Sequence, residues 1–454
     1  MAKKKEAPVD PFVPAEEQPY PIPENWCWVK LGNLYEINPK ITADDTILAS
    51  FVPMERIGAG MTGRFTFEIQ PWGKARKNHT QFADGDVAFA KISPCFENQK
   101  SMMVQGLMNG IGGGTTELII LRQAQMNQKY TFLLVSTEDF ISRGKATYSG
   151  TVGQQRISMD FVKAYPVPVP PLPEQHRIVT RIESLFAKLD EAKEKTQAVV
   201  DGFELRKSAI LHKAFTGELT ERWRKEHGVG LDSWETKRIN EIAKPRAGYA
   251  FDSKKFTNSG YQIIRMGNLY GGELDLSRNP VFISLDDVDE TALKRALVND
   301  GDILITLTGT KYKRDYGYAV SILNPTNLLV NQRILCLTPC QGVEKNYILY
   351  YLRSNIFRDI FFSNETGGVN QGNVSSKFVE SIEVKVPLLA EQHEMVTILN
   401  RMMDKEQQAK EAAEAVLAQI DTMKKAILAR AFRGELGTND PAEKWAGEMV
   451  KAVL

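Results

Sequence analysis

A stretch of 46 residues in this 454-residue chain occurs twice, and that repeat restricts the fold more than any other feature. Residues 174–219 start Glu174-Gln175-His176 and end Ala214-Phe215-Thr216-Gly217-Glu218-Leu219. Residues 391–436 repeat them 217 positions later, without a gap and with about 20 identities. Both copies have the spacing of long helices. In the first, Ile178, Ile182, Leu185, Leu189, Ala192, Thr196, Val199, Phe203, Arg206 and Ile210 form a seam with alternating steps of four and three. In the second the seam is Met395, Leu399, Met402, Glu406, Ala409, Ala413, Val416, Ile420, Met423 and Ile427. Roughly 42 residues at 1.5 Å each make a rod of about 63 Å, longer than a domain helix needs to be. A narrow apolar stripe of that length calls for one partner helix, and the other copy supplies it. The stretch before each copy is long enough to be a domain and to let the helices run antiparallel.

The rest of the chain fits a duplication of domain-plus-helix units. Residues 1–22 combine Lys3, Lys4 and Lys5 with several prolines and read as a mobile, solvated arm. Residues 23–170 carry short β-type segments between Gly and Pro (65–69, 87–92, 117–121 and 165–169), with 130–136 helical or mixed. The central helix unit covers 171–219, a polar linker 220–231, a second domain 232–387, the C-terminal helix unit 388–436 and a tail helix 437–454, opened by Asp440, Pro441 and Glu443. The two domains differ in sequence but keep a few landmarks. Gly85-Asp86 resembles Gly301-Asp302, Gln154 meets Gln371, Ser158 meets Ser375, Phe161-Val162 meets Phe378-Val379, and Trp28 is matched to Trp234. The expected fold is α+β: two α/β domains separated by two long helices that form an intramolecular antiparallel coiled coil with pseudo-twofold symmetry.

With 43% hydrophobic and 25% charged residues the composition is that of a soluble globular protein, and no apolar run reaches bilayer length, so the default compartment is cytoplasmic. Cys27, Cys95, Cys336 and Cys340 are too few and scattered for a disulfide framework, and they suggest buried thiols and no metal site. A phosphate loop, a His-Glu-x-x-His pair and an Asn-Pro-Pro-aromatic methyltransferase motif are all missing from the sequence. His176 and His393, at matching places in the repeat, suggest packing or a partner contact. A net charge of +1 leaves nucleic-acid binding to local clusters. In the first domain the candidate DNA contacts are Arg64, Lys74, Arg76, Lys77, Asn78, Lys91, Lys100, Arg143, Lys145, Tyr148, Gln154 and Arg156. In the second they are Arg246, Lys254, Lys255, Arg265, Lys311, Lys313, Arg314, Tyr316, Asn370, Gln371 and Asn373. Arg and Lys neutralise phosphates and can read guanine, while Asn and Gln pair with adenine edges.

Taken in order, these motifs resemble those of the specificity subunit of a type I restriction-modification enzyme. The resemblance rests on Pro-x-x-x-Glu-Gln-His at 170–176 and 387–393, Ala-Phe-x-Gly-Glu-Leu at 214–219 and 431–436, the Gly-Asp strands, and Pro23-Glu24-Asn25-Trp26. It implies a non-catalytic chain with two target recognition domains, each reading half of an asymmetric, interrupted DNA site. The coiled coil would set the spacing. Two modification subunits carrying S-adenosylmethionine would dock on the helices and methylate adenine, and restriction subunits using ATP and Mg would join them; this chain would hold no cofactor. A competing reading is a coiled-coil scaffold that binds proteins without selecting DNA. A self-sufficient restriction-methylation enzyme is disfavoured by the missing motifs.

Overall fold

The computed structural model describes residues 11–122, 125–368 and 370–453. Lys3, Lys4 and Lys5 lie outside them. The chain divides into two units: one runs up to Thr196 and resumes at Ala415, and the other is 197–414. Each unit therefore takes half of each long helix, a division that the sequence-based boundaries do not anticipate.

The two domains share the topology of their first sheet. In the first, Glu36–Ile37, Leu118–Arg122, Val87–Ala90 and Ser101–Met103 line up in that order as an antiparallel sheet. In the second, Ala243–Ala247, Ile334–Pro339, Ile303–Thr306 and Ala319–Ser321 do the same. Each domain adds a second four-stranded sheet with one parallel pair: Leu48–Val52 beside Ile111–Gly114, and Tyr261–Ile264 beside Leu328–Val330. The central strands read Val-Ala-Phe-Ala and Ile-Leu-Ile-Thr and are buried along their whole length, as strands covered on both faces must be.

Helices repeat as faithfully as strands. Gln128–Val135 and Glu138–Lys145 recur as Lys345–Arg353 and Asn355–Ser363. The second helix of each pair is capped by a hydroxyl, Thr137 accepting the Phe140 N–H and Ser354 accepting the Phe357 N–H. Tyr130 and Tyr347, 217 residues apart, are buried, and their hydroxyls donate to the carbonyls of Pro168 and Lys385, also 217 apart. The register corrects one sequence match. Cys27 pairs with Val169 and Glu235 with Val386, so Trp26, not Trp28, is the counterpart of Trp234.

The long helices are Leu172–Asp201 followed by Phe203–Phe215, and Leu389–Phe432. They pack antiparallel within each unit. In the first unit Ile178 and Ile182 share a core with Leu428, Ala431 and Phe432, and Lys193 pairs with Asp421 at 3.8 Å. In the second unit Ile210, Leu211, Ala214 and Phe215 meet Met395, Val396 and Leu399, and Arg206 Nε donates to Glu406 at 2.7 Å. The helix ends also pack on the domain cores: the ring centroids of Tyr130 and Phe432 are 5.0 Å apart.

Four seam positions are corrected. Val199, Ala409, Val416 and Met423 are exposed, whereas Val200, Lys410, Leu417 and Lys424 are partly buried. A straight helix drifts about 20° per heptad against a strict 3.5-residue repeat, so the facing stripe slips by one position along the rod. Leu185, Leu189 and Met402 are partly buried, and Phe203, Ile210, Met395, Leu399 and Ile420 are buried, as the seam requires; Ile427 packs at its edge. The single-residue break in the first helix falls at Gly202. There the Arg206 guanidinium crosses the glycine and donates to the Val199 carbonyl at 2.9 Å.

Contrary to the expectation of a mobile tail, the described part of the amino-terminal arm is anchored at residues 11–13, while 14–19 are exposed. Val13 is buried and its N–H donates to the Trp28 carbonyl at 2.9 Å. Phe12 packs on Trp445 in a tilted pair with centroids 5.3 Å apart, and Trp445 Nε1 donates to the Trp26 carbonyl at 3.1 Å. The tail helix, Ala446–Val453, thus holds the arm against the first unit.

Candidate DNA interface and its supporting frame

The repeated Glu-Gln-His triplet joins each domain to its helix. Trp26 Nε1 donates to Glu174 Oε2 at 2.7 Å, and Trp234 Nε1 donates to Glu391 Oε2 at 3.0 Å. Gln175 Nε2 donates to the Pro170 carbonyl at 3.0 Å while its Oε1 accepts the Asn127 N–H at 2.9 Å. Gln392 does the same between the Pro387 carbonyl, 2.8 Å, and the Glu344 N–H, 2.9 Å. Asn127 and Glu344 cap the first helix of each helix pair, so one glutamine binds three elements together. His176 and His393 touch those same caps, at 3.0 Å and 3.5 Å. Both imidazoles are exposed. Replacing Gln392 by Ala leaves two polar groups unpaired at a buried joint and is expected to cost about 2 kcal/mol. Thermal denaturation should shift by roughly 4–8 °C, and Gln175→Ala should behave alike in the first unit.

The two glutamates differ in their remaining partners. Glu391 is fully buried and salt-bridged to Arg224 Nη1 at 2.6 Å, and Thr220 donates to it at 2.7 Å. Glu174 is equally buried but receives neutral donors, Asn439 Nδ2 at 2.9 Å and Thr438 Oγ1 at 3.4 Å. Burial pushes the Glu174 carboxyl above its ordinary range, and the hydrogen bonds from Trp26 and Asn439 only partly oppose that. Linker and tail thus serve the same purpose in the two units with opposite charge logic. In the first unit the cation is on the long helix, where Arg177 holds Glu443 of the tail at 2.8 and 2.9 Å.

The Gly-Asp pairs are a second structural device. Asp86 is buried, accepts Arg122 through both carboxylate oxygens at 2.7 Å and takes the Ala83 N–H at 2.7 Å. Asp302 is buried against Arg246, with the Asn299 N–H at 2.8 Å and Thr338 Oγ1 at 2.6 Å. Arg246, a candidate DNA contact, is therefore committed to the fold. Tyr316 is likewise buried, its hydroxyl donating to Glu365 at 2.7 Å, and does not present itself to a base. The Tyr148 hydroxyl is also buried, beside Glu97.

Seven of the other candidates are tied to groups of their own domain. Arg76 forks onto Asp45 at 2.7 and 3.0 Å. Arg156 forks onto Glu117 at 2.9 and 2.7 Å and holds that carboxyl below its usual range. Lys100 donates to the Met54 carbonyl at 2.9 Å and Arg265 to the Asn279 carbonyl at 2.6 Å. Arg143, Lys255 and Arg314 pair with Asp139, Asp287 and Asp359 at 3.5, 3.4 and 2.8 Å. Lys91 and Asn373 are half-buried. Arg64, Lys74, Lys77, Asn78, Lys145, Gln154, Lys254, Lys313, Asn370 and Gln371 are exposed, with side chains outside any hydrogen bond or ion pair among the described residues. Cys336 is buried beside Arg246 and Cys340 half-buried, and no cluster of three or more metal-ligating residues occurs among the described residues.

A profile described as the type I restriction modification DNA specificity domain matches residues 23–200 and again 232–415. The chain belongs to the type I restriction-modification DNA specificity family. The EcoAI specificity subunit of Escherichia coli is 27% identical over 88% of this chain and 80% of its own length. The EcoEI specificity subunit, also from Escherichia coli, is 37% identical over 46% of this chain and 36% of its own length. The HsdS subunit from Thermoanaerobacter tengcongensis shares the fold with a TM-score of 0.68 and 19% identity, covering 92% of this chain and 99% of that one. This specificity subunit recognises DNA sequence and is not itself the catalyst; such subunits assemble with others into the type I complex. No described helix is long and apolar enough to cross a membrane.

Proposed function

We propose that each domain of this specificity subunit reads one half of an asymmetric, interrupted DNA site and that the coiled coil sets the spacing between the halves. Two modification subunits dock on exposed faces of the long helices and bring S-adenosylmethionine for adenine methylation. Restriction subunits with ATP and Mg join that core, in the cytoplasm. One observation carries this reading. The frame is the same in both domains down to the Glu-Gln-His joint, the buried Gly-Asp carboxylate held by an arginine and the capped helix pair, while most of the exposed basic and amide side chains on the loops differ. A pair of unlike readers on a common mount suits two unlike half-sites.

Methylome sequencing of cells carrying this chain with its modification partner is expected to show methylated adenines in a single bipartite motif. A scaffold that only binds proteins would give no such motif and no enriched sequence in a random-duplex selection. The purified chain with S-adenosylmethionine alone is expected to transfer no methyl group to DNA.

A further inference from the structure

One exposed loop is the same in both domains although it has no part in either core. Ser149 bridges Arg156 and Thr366 bridges Asn373, each pair exchanging two backbone hydrogen bonds between 2.8 and 3.1 Å. Inside the bridges, Gly150 and Gly367 both have φ of 108°, a conformation that favours glycine. The next turn also matches: Gln154 N–H donates to the Thr151 carbonyl at 2.9 Å, and Gln371 N–H to the Gly368 carbonyl at 3.2 Å. Every one of these positions is 217 residues from its partner. Each hairpin has a carbonyl covered by a cation of its own domain, Arg156 Nη1 on the Gln154 carbonyl at 3.0 Å and Lys311 Nζ on the Gly367 carbonyl at 2.9 Å.

The tip is built of donors. In the first domain Val152 is 95% exposed, and among the described residues the N–H groups of Thr151, Val152 and Gly153 have no acceptor and the Gln154 side-chain amide has no partner. Side chains that read bases must differ between two domains with different half-sites. An element that stays the same serves what the half-sites share, and a row of neutral N–H donors beside a cation suits phosphate oxygens.

We infer that the hairpin 149–156 and its described counterpart residues, 366–368 and 370–373, grip the sugar–phosphate backbone of their half-sites without reading sequence, with Gln154 and Gln371 as positioning residues. This rests on the reading of the two domains as DNA readers. Both glutamines are exposed and outside the core, so Gln154→Ala and Gln371→Ala leave folding intact.

The test uses the full chain with its modification subunits, measured by fluorescence anisotropy on a duplex bearing the methylated motif and on one with both halves scrambled. Each substitution is expected to weaken both duplexes by the same factor, about fivefold, and the double variant by about 25-fold. The salt dependence of binding is expected to stay unchanged, because no cation is removed. A changed preference for the motif, or for one base within it, would make the glutamines readers and overturn the inference. Unchanged DNA affinity overturns it too, and if retention of the modification subunits then falls, the hairpins are a protein-docking surface. If the unsubstituted complex does not distinguish the two duplexes, the domain-level reading fails, and equal weakening of both duplexes still reports on the grip.

Discussion

Glutamine in place of Glu391 is expected to destabilise the 197–414 unit by about 3 kcal/mol, whereas glutamine in place of Glu174 is expected to leave its unit as stable or more stable at neutral pH. The difference follows from what each carboxylate faces. Removing one member of a buried ion pair leaves the other charge uncompensated, and Glu391→Gln does this to Arg224, which is almost fully buried. Glu174 faces only neutral donors at hydrogen-bonding distance, and a glutamine oxygen can still accept from Trp26 and Asn439. The sign of the pH dependence is fixed by the raised Glu174 carboxyl. Between its ordinary value and its raised value the folded state holds the proton more tightly than the unfolded state, so stability falls as pH rises through that window. Thermal denaturation of the wild type and Glu174→Gln across mildly acidic to neutral pH should show this loss in the wild type and a flatter profile in the variant. An equal loss of stability in Glu174→Gln and Glu391→Gln would contradict the assignment.

Removing residues 187–193 together with 421–427 is expected to shorten the spacer of the recognised motif by about three base pairs, or to abolish recognition. The two stretches face each other in the rod, so Asp190 leaves with Lys424 and Lys193 with Asp421. Seven residues remove about 10.5 Å of helix and change its facing by only about 20°, which keeps an apolar stripe opposite an apolar stripe. At about 3.4 Å per base pair that length is close to three steps of duplex. Methylome sequencing of cells carrying the shortened chain reads the spacer directly. The original spacer would mean that the coil does not set it.

The frame was legible in the sequence because it is made of short-range rules. A 3.5-residue stripe, a glycine stop and a gapless repeat each specify local geometry, and together they implied the antiparallel pair. What escaped was set by tertiary register. Trp26 and Trp28 both look like partners for Trp234, and only the strand pairing of Cys27 with Val169 separates them. Val199, Val416 and Met423 fit an ideal heptad but lie beyond the drift of a real helix. The matched pair Tyr130 and Tyr347 was visible at the 217 offset, and comparing the domain interiors position by position would have found it. For the candidate DNA contacts, composition was a poor guide. Arginines suit phosphates and buried carboxylates alike, so Arg246 and Arg156 could be told from free side chains only once Asp302 and Glu117 were placed beside them.

The division of the long helices between units has a consequence for synthesis. The 197–414 unit is one uninterrupted run of chain, so every partner it needs has emerged once residue 414 has left the ribosome. The other unit begins first and finishes last. Until residues 415–454 are made, Ile178 and Ile182 lack Leu428 and Phe432, Glu174 lacks Asn439, and Trp26 lacks Trp445. The usual order, in which the amino-terminal domain folds before the next is made, is reversed here. A nascent chain therefore carries an open apolar face through most of its translation, and a premature stop near the carboxyl terminus harms the first domain, not the last.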